Sequence, residues 1–153
     1  VRRTICLIVF CGVVGLGLAC SRRPEPEGTA VEYGKLCALE NNSKRVNAEG
    51  YLGLGSTIFC SGKSGDVTCR LDFKEQPDSK RNITAYISEG SGANQMEKVP
   101  DNYKASDLKL RADDKSMISP RDKVKIIGDV LSMNAGPNGE NSCSITVKKI
   151  ERR

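Results

Sequence analysis

Seven cysteines, at positions 6, 11, 20, 37, 60, 69 and 143, carry most of the chemistry available to this chain. A thiol can pair in a disulfide, ligate a metal or attack as a nucleophile, and its surroundings decide which. Zinc-type ligation needs closely spaced cysteines or histidines; the chain has no Cys-x-x-Cys and no His, so no metal site is expected. The same absence removes the commonest general base at neutral pH. No serine lies in a Gly-x-Ser-x-Gly elbow, which leaves only activation by a lysine open. Gly62-Lys63-Ser64 does not complete a phosphate cradle, because Thr57 stands where the leading glycine belongs and a strand pattern follows. Asp113-Asp114 reads as a turn. These residues point to no enzyme and no cofactor, and they leave disulfide formation as the main role for the thiols.

The cysteines nearest the start pose a separate question. Arg2 and Arg3 precede an apolar run over residues 5–18, and the small residues Gly17 and Ala19 precede Cys20. A basic start, a short apolar stretch and small residues at the cut are the layout of an export signal. The run falls short of the roughly 20 apolar residues that a permanent span requires. Gly17-Leu18-Ala19-Cys20 resembles a bacterial lipobox: Ala19 and Cys20 match, while Gly17 stands where leucine is usual and Leu18 where a smaller residue is. That resemblance implies cleavage before Cys20, acylation of its thiol and attachment to a membrane. Gly-x-Ala also suits ordinary signal peptidase, which would give plain secretion. Parity favours the lipid: cleavage leaves Cys20, Cys37, Cys60, Cys69 and Cys143, and acylating Cys20 leaves an even four in an oxidising compartment. By the same resemblance, Ser21 after the cysteine implies the outer membrane in a Gram-negative host.

The expected organisation is therefore a signal over residues 1–19, a lipidated N-terminus and flexible linker over 20–28, and one domain over 29–153. The linker, Ser-Arg-Arg-Pro-Glu-Pro-Glu-Gly after Cys20, is polar and interrupted by proline, as a tether should be. Net charge is +5, or +3 once Arg2 and Arg3 are gone, a balance that neither demands nor excludes an anionic partner.

Within the domain, Thr29-Ala-Val-Glu32 has capping-box spacing, and Tyr33, Leu36, Cys37 and Glu40 follow at helical spacing, predicting a short helix over residues 30–40. From Val46 the period changes to two. Val46, Ala48, Leu52, Leu54, Ile58 and Cys60 share one face of a long strand that Gly50, Gly53 and Gly55 allow to bend. A second strand over 67–73 turns Val67, Cys69, Leu71 and Phe73 inward. A tight loop at 63–66 between them sets Ile58 opposite Leu71, Cys60 opposite Cys69 and Phe59 opposite Arg70. That register predicts a Cys60–Cys69 disulfide and leaves Cys37–Cys143 by elimination, with Cys143 in phase with inward Ile145 and Val147. A third strand spans 82–88, a fourth 123–133 and, after the turn at 134–139, a fifth 143–150. The stretch 93–119 shows only a helical turn near 96–99 and an extended piece at 108–111. The tail 151–153 is expected to be solvated.

A short N-terminal helix followed by five strands, the first bent by glycines, suggests a mainly β five-stranded OB-type barrel, with a small open β-sandwich as the alternative. Residues 44–52, Lys-Arg-Val-Asn-Ala-Glu-Gly-Tyr-Leu, and 122–130, Asp-Lys-Val-Lys-Ile-Ile-Gly-Asp-Val, carry a resemblance over about 30–150. They resemble the first and fourth strands of OB-fold families in small bacterial exported proteins and lipoproteins, including those called tRNA-anti-like. The resemblance implies a fold and little about activity.

OB barrels bind across the outer face of their second and third strands. Here that face carries Thr68, Arg70, Asp72 and Lys74, then Thr84 and Tyr86, with Tyr51 and Phe59 bordering it. Tyr51, Phe59, Arg70, Lys74 and Tyr86 are the candidate ligand-binding residues; a solvated cross-strand pair between Phe59 and Arg70 is the plainer reading. Lys148, Lys149, Arg152 and Arg153 form a second basic cluster. The expected partners are a membrane, through a lipid on Cys20, and an envelope protein or polymer. Export argues against nucleic acid as the routine ligand, although arginine beside aromatics suits stacking on bases.

Overall fold

A computed structural model describes residues 27–63, 65–133 and 141–153. The signal, Cys20, most of the linker and the turn at 134–139 lie outside the described residues. The described chain is mainly β: β1 (Thr29–Ala30), β2 (Arg45–Gly53), β3 (Phe59–Lys63), β4 (Asp66–Lys74), β5 (Ile83–Ser88), β6 (Leu110–Arg111), β7 (Met117–Ile118), β8 (Val124–Met133) and β9 (Ser142–Arg152).

The predicted helix over 30–40 is not formed. Thr29 and Ala30 instead lie parallel to β2 beside Val46 and Asn47, and the Asn47 side-chain amide donates to the carbonyls of Glu27 and Gly28. Val31 N–H also donates to the Asn47 carbonyl at 2.9 Å, so the chain where the helix would begin is held along β2. Two 3-10 turns follow, Tyr33–Lys35 and Leu39–Asn41. Gly34, costing about 1 kcal/mol in a helix interior, weakens the longer alternative. The apolar spacing is still used, because residues three apart eclipse in a 3-10 turn and so Tyr33 and Leu36 both reach the core. Glu32 pairs with Lys35 on the surface and caps nothing.

The long first strand also divides. β2 pairs with β8 from Arg45 to Gly50 and with β4 from Tyr51 to Gly53. Gly50 sits at that switch, where a Cβ would come within 2.5 Å of the Lys74 carbonyl and 2.7 Å of the Phe73 ring. Pairing then stops, and β3 resumes farther along the same edge of β4, the edge away from β5, with the predicted register, Phe59 opposite Arg70 and Cys60 opposite Cys69. β3 is an edge strand with all five residues exposed, so Cys60 faces solvent instead of the interior while Cys69 is fully buried. Ile58 and Leu54 are partly buried against the core.

Five strands close a circuit of pairings. β2 pairs with β8, β8 with β9, β9 with β5 in parallel, β5 with β4, and β4 returns to β2. Period-two alternation turns Val46, Ala48 and Leu52, then Leu71 and Phe73, Ile83, Ala85 and Ile87, and Val124, Ile126 and Val130 into one core. On β9 the alternation runs through Cys143, Ile145 and Val147 and changes phase to Ile150. Val147 pairs with Gly128 and Lys149 with Ile127, so Lys148 is the extra residue of a bulge. β9 continues through Glu151 and Arg152, which replaces the solvated tail expected there.

Residues 93–119 supply the closing layer. No helical turn forms at 96–99; Met96 instead bridges Glu89 and Leu110 and is fully buried with Leu110, beside Leu108, Ala112 and Ile118. Arg111 N–H donates to the Gln95 carbonyl and Glu97 N–H to the Lys109 carbonyl, so the segment is held by strand-like bonds without alternation long enough to announce it. The two predicted disulfides, Cys37–Cys143 and Cys60–Cys69, are both present. Among the described residues no helix is long and apolar enough to cross a membrane.

Candidate functional site

Register assembles the most distinctive surface of the molecule. Phe59 on β3 stands opposite Arg70 on β4, Arg70 opposite Tyr86 on β5, and Tyr86 opposite Thr146 on β9. Directly opposed residues project to the same side of a sheet with Cβ atoms about 4.5–5.5 Å apart. The outcome is a row of aromatic, guanidinium, aromatic and hydroxyl groups across four strands. Phe59 is 65% exposed and Tyr86 37% exposed, a large apolar area to leave in water on a chain with only seven Phe and Tyr residues.

The five candidate residues fall into two groups on this face. Tyr51 and Lys74 oppose each other where β2 meets β4, four residues along β4 from Arg70, or about 13 Å at the usual strand rise. They line a separate cleft of about 200 Å³ with Pro77, Asp78, Pro120 and Arg121. Asp72 and Thr84 lie between the groups, so a carboxylate separates the two cations. Tyr51 and Phe59 both border β4 along the edge away from β5, as one strand would place them, but the break after Gly53 puts them on separate strands, Tyr51 opposite Lys74 and Phe59 opposite Arg70.

A larger cleft of about 310 Å³ begins at Tyr86. Thr68 and Ser88 form its β4–β5 wall, Thr146 and Lys148 its β9 wall, and Asn94 and Gln95 its rim. Asn94 is held in place: its side-chain amide donates to Asp113 at 2.8 Å, its carbonyl oxygen accepts from Ile150 N–H at 2.8 Å, and its φ of 60° fits an asparagine. Sequence reading missed Asn94 and Gln95 because nothing periodic marks their loop. Lys148 had a faint signal, the phase change between Val147 and Ile150, which requires a bulge.

The C-terminal basic cluster is mostly neutralised. Lys149 pairs with Glu151 at 2.8 Å, Arg152 with Asp122 at 3.4 Å and Arg153 with Glu49 at 3.3 Å, whereas Lys148 makes no ion pair among the described residues. The carboxylates that shift do so downward and through cations or hydrogen-bond donors. Lys123 lowers Glu49, Arg111 lowers Glu97, Arg45 lowers Asp129 and Lys125 with Lys149 lowers Glu151, while Ser116 lowers Asp114. Such groups are members of ion pairs and turns, not acids held near neutrality for proton transfer. Asp113 and Asp114 form the turn expected of them.

One group of potential metal ligands occurs among the described residues: Cys60, Cys69 and Glu89, whose ligand atoms lie within 4.8 Å of one another. The two sulfurs are bonded to each other, and the Glu89 carboxylate lies 3.8 Å from the Cys69 sulfur. Compared with known proteins, the sequence matches no family model and no curated protein.

Proposed function

We propose that this chain is an exported lipoprotein, anchored through a lipid on Cys20, whose folded part is an OB-type barrel serving as a non-catalytic binding module. The circuit of pairings supports the barrel, because one parallel contact, β5 with β9, among antiparallel ones suits the five-stranded Greek-key closure of that fold. β4 and β5 then take the places of its second and third strands, and β2 with β3, in succession along one edge of β4, takes the place of a broken first strand. The exposed row of Phe59, Arg70 and Tyr86 carries the binding reading. It lies on the face that such barrels use and suits an extended ligand presenting a flat or apolar surface beside an anionic group, as an envelope polymer or protein segment does.

Two measurements test this. The intact mass of the mature protein recovered from membranes should carry a diacylglyceryl group on Cys20; an unmodified Cys20 ends the anchor. A photoreactive residue in place of Phe59 should give an envelope adduct that Arg70→Ala or Tyr86→Ala removes, and one in place of exposed Lys98 should not. Equal labelling from both positions would refute the surface.

The same row favours a second reading, single-stranded nucleic acid, since base stacking on each aromatic contributes about 1–3 kcal/mol. That reading expects fluorescence anisotropy of an oligothymidylate to show binding that falls steeply with salt and is lost in Tyr86→Ala. No binding at low salt would eliminate it.

A further inference from the structure

We propose that the Cys60–Cys69 pair, once reduced, forms with Glu89 a binding site for a thiophilic divalent cation of the zinc type. Two features of the fold converge there. Cross-strand register holds the two sulfurs together whether or not they are bonded, because Cys60 and Cys69 are directly opposed on β3 and β4. Glu89 reaches them from the end of β5, where its N–H donates to the Val67 carbonyl at 2.7 Å, and its carboxylate lies 3.8 Å from the Cys69 sulfur. All three ligand atoms fall within 4.8 Å, a span that one cation bridges with bonds of about 2.3 Å to sulfur and 2.0–2.2 Å to oxygen. Glu89 makes no ion pair among the described residues, and its carboxylate beside the buried Cys69 sulfur is a poor neighbour for a free thiolate, since two anions would stand close together. A divalent cation neutralises both.

Exposure supplies the entrance. Cys60 lies in solvent on an edge strand, so an external thiol can attack its sulfur, while Cys69 is sealed beneath. With glutathione as reductant the balance is protein disulfide plus two glutathione thiols giving Cys60 and Cys69 thiols plus glutathione disulfide. The cation then displaces one proton from each thiol, and water completes a tetrahedral set with the Glu89 oxygen. The site does not depend on the binding function proposed for the outer face, and Cys37–Cys143 has no comparable third ligand among the described residues.

The test equilibrates the full oxidised chain in glutathione redox buffers with and without a fixed free Zn²⁺ concentration. Trapping by alkylation and peptide mass spectrometry then reads each disulfide separately. A cation that binds only the reduced site favours it by the factor 1 + [M]/Kd, so Zn²⁺ at ten times its Kd should raise the reduced-to-oxidised ratio of Cys60–Cys69 about elevenfold. The ratio for Cys37–Cys143 should not move. Glu89→Gln should weaken Kd about tenfold or more and so cut the elevenfold shift to about twofold or less, and Glu89→Asp should retain part of it. An absent shift, an equal shift at Cys37–Cys143, or a shift unchanged in both Glu89 variants would overturn the site.

Discussion

Removing the disulfides one at a time makes a quantitative comparison possible, because the two cross-links differ chiefly in the length of chain they close. Cys37–Cys143 spans 106 residues and Cys60–Cys69 spans 9. A cross-link stabilises mainly by restricting the unfolded chain: about 4.7 kcal/mol is expected for a loop near 100 residues and just under 3 kcal/mol for one near 10. The constant cancels in the difference, which is (3/2)RT ln(106/9), or about 2 kcal/mol. Each pair also includes one buried cysteine, Cys143 and Cys69, so the packing lost on substitution is similar. Cys37→Ala/Cys143→Ala should therefore be less stable than Cys60→Ala/Cys69→Ala by about 2 kcal/mol, or about 1 M in urea midpoint at a typical slope near 2 kcal/mol/M. Urea titration followed by circular dichroism reads this directly. Equal midpoints, or a larger loss from the short loop, would refute the reasoning and show that β3 is held by something other than register and a local staple.

The bend in β2 predicts that Gly50→Ala lowers the melting temperature sharply, because the added methyl meets the Lys74 carbonyl and the Phe73 ring; Gly53→Ala, with nothing within 4 Å, serves as the tolerant control in the same scan. Burial pushes the Tyr33 hydroxyl up to about 12, and it donates to the Phe73 carbonyl at 2.8 Å. The unfolded phenol ionises near 10, so stability should fall as pH rises between about 10 and 12, and Tyr33→Phe should remove that slope while costing about 1–3 kcal/mol at pH 7 for the orphaned carbonyl, both read by denaturant titration. Asp129 is held below the usual carboxylate range by the hydrogen bonds and charge of Arg45. Its contribution is complete above the unfolded value near 3.9 and is lost as pH falls through the lower folded value, so Asp129→Asn should flatten the acid limb of the stability profile below about pH 4.

Legibility in the sequence followed the range of the interactions involved. Strands β4, β5 and β8 were readable because each has one buried face, and a one-residue slip would turn Leu71, Ala85 or Ile126 outward. The same alternation yielded the Phe59–Arg70 register and the Cys60–Cys69 disulfide, and elimination left Cys37–Cys143. Residues 30–40 were misread because spacing of three serves a 3-10 turn as well as a helix, and the deciding bonds come from Asn47, distant in sequence. Residues 93–119 were opaque for a related reason: Met96, Leu110 and Ile118 are buried by closing over the strands, with no period of their own.

By itself, the sequence determined the mainly β character, the inward set of residues and the pairing of the cysteines, all properties of local alternation and parity. Only the tertiary structure decided that Tyr86 joins Phe59 and Arg70 in one row, that Tyr51 and Lys74 stand apart, that Lys148 projects from a bulge into a cleft rimmed by Asn94, and that Glu89 meets the Cys69 sulfur. The physical reason is that alternation states which side of a strand a residue occupies. Which strands become neighbours, and at what register, is set by bonds between segments far apart in the chain.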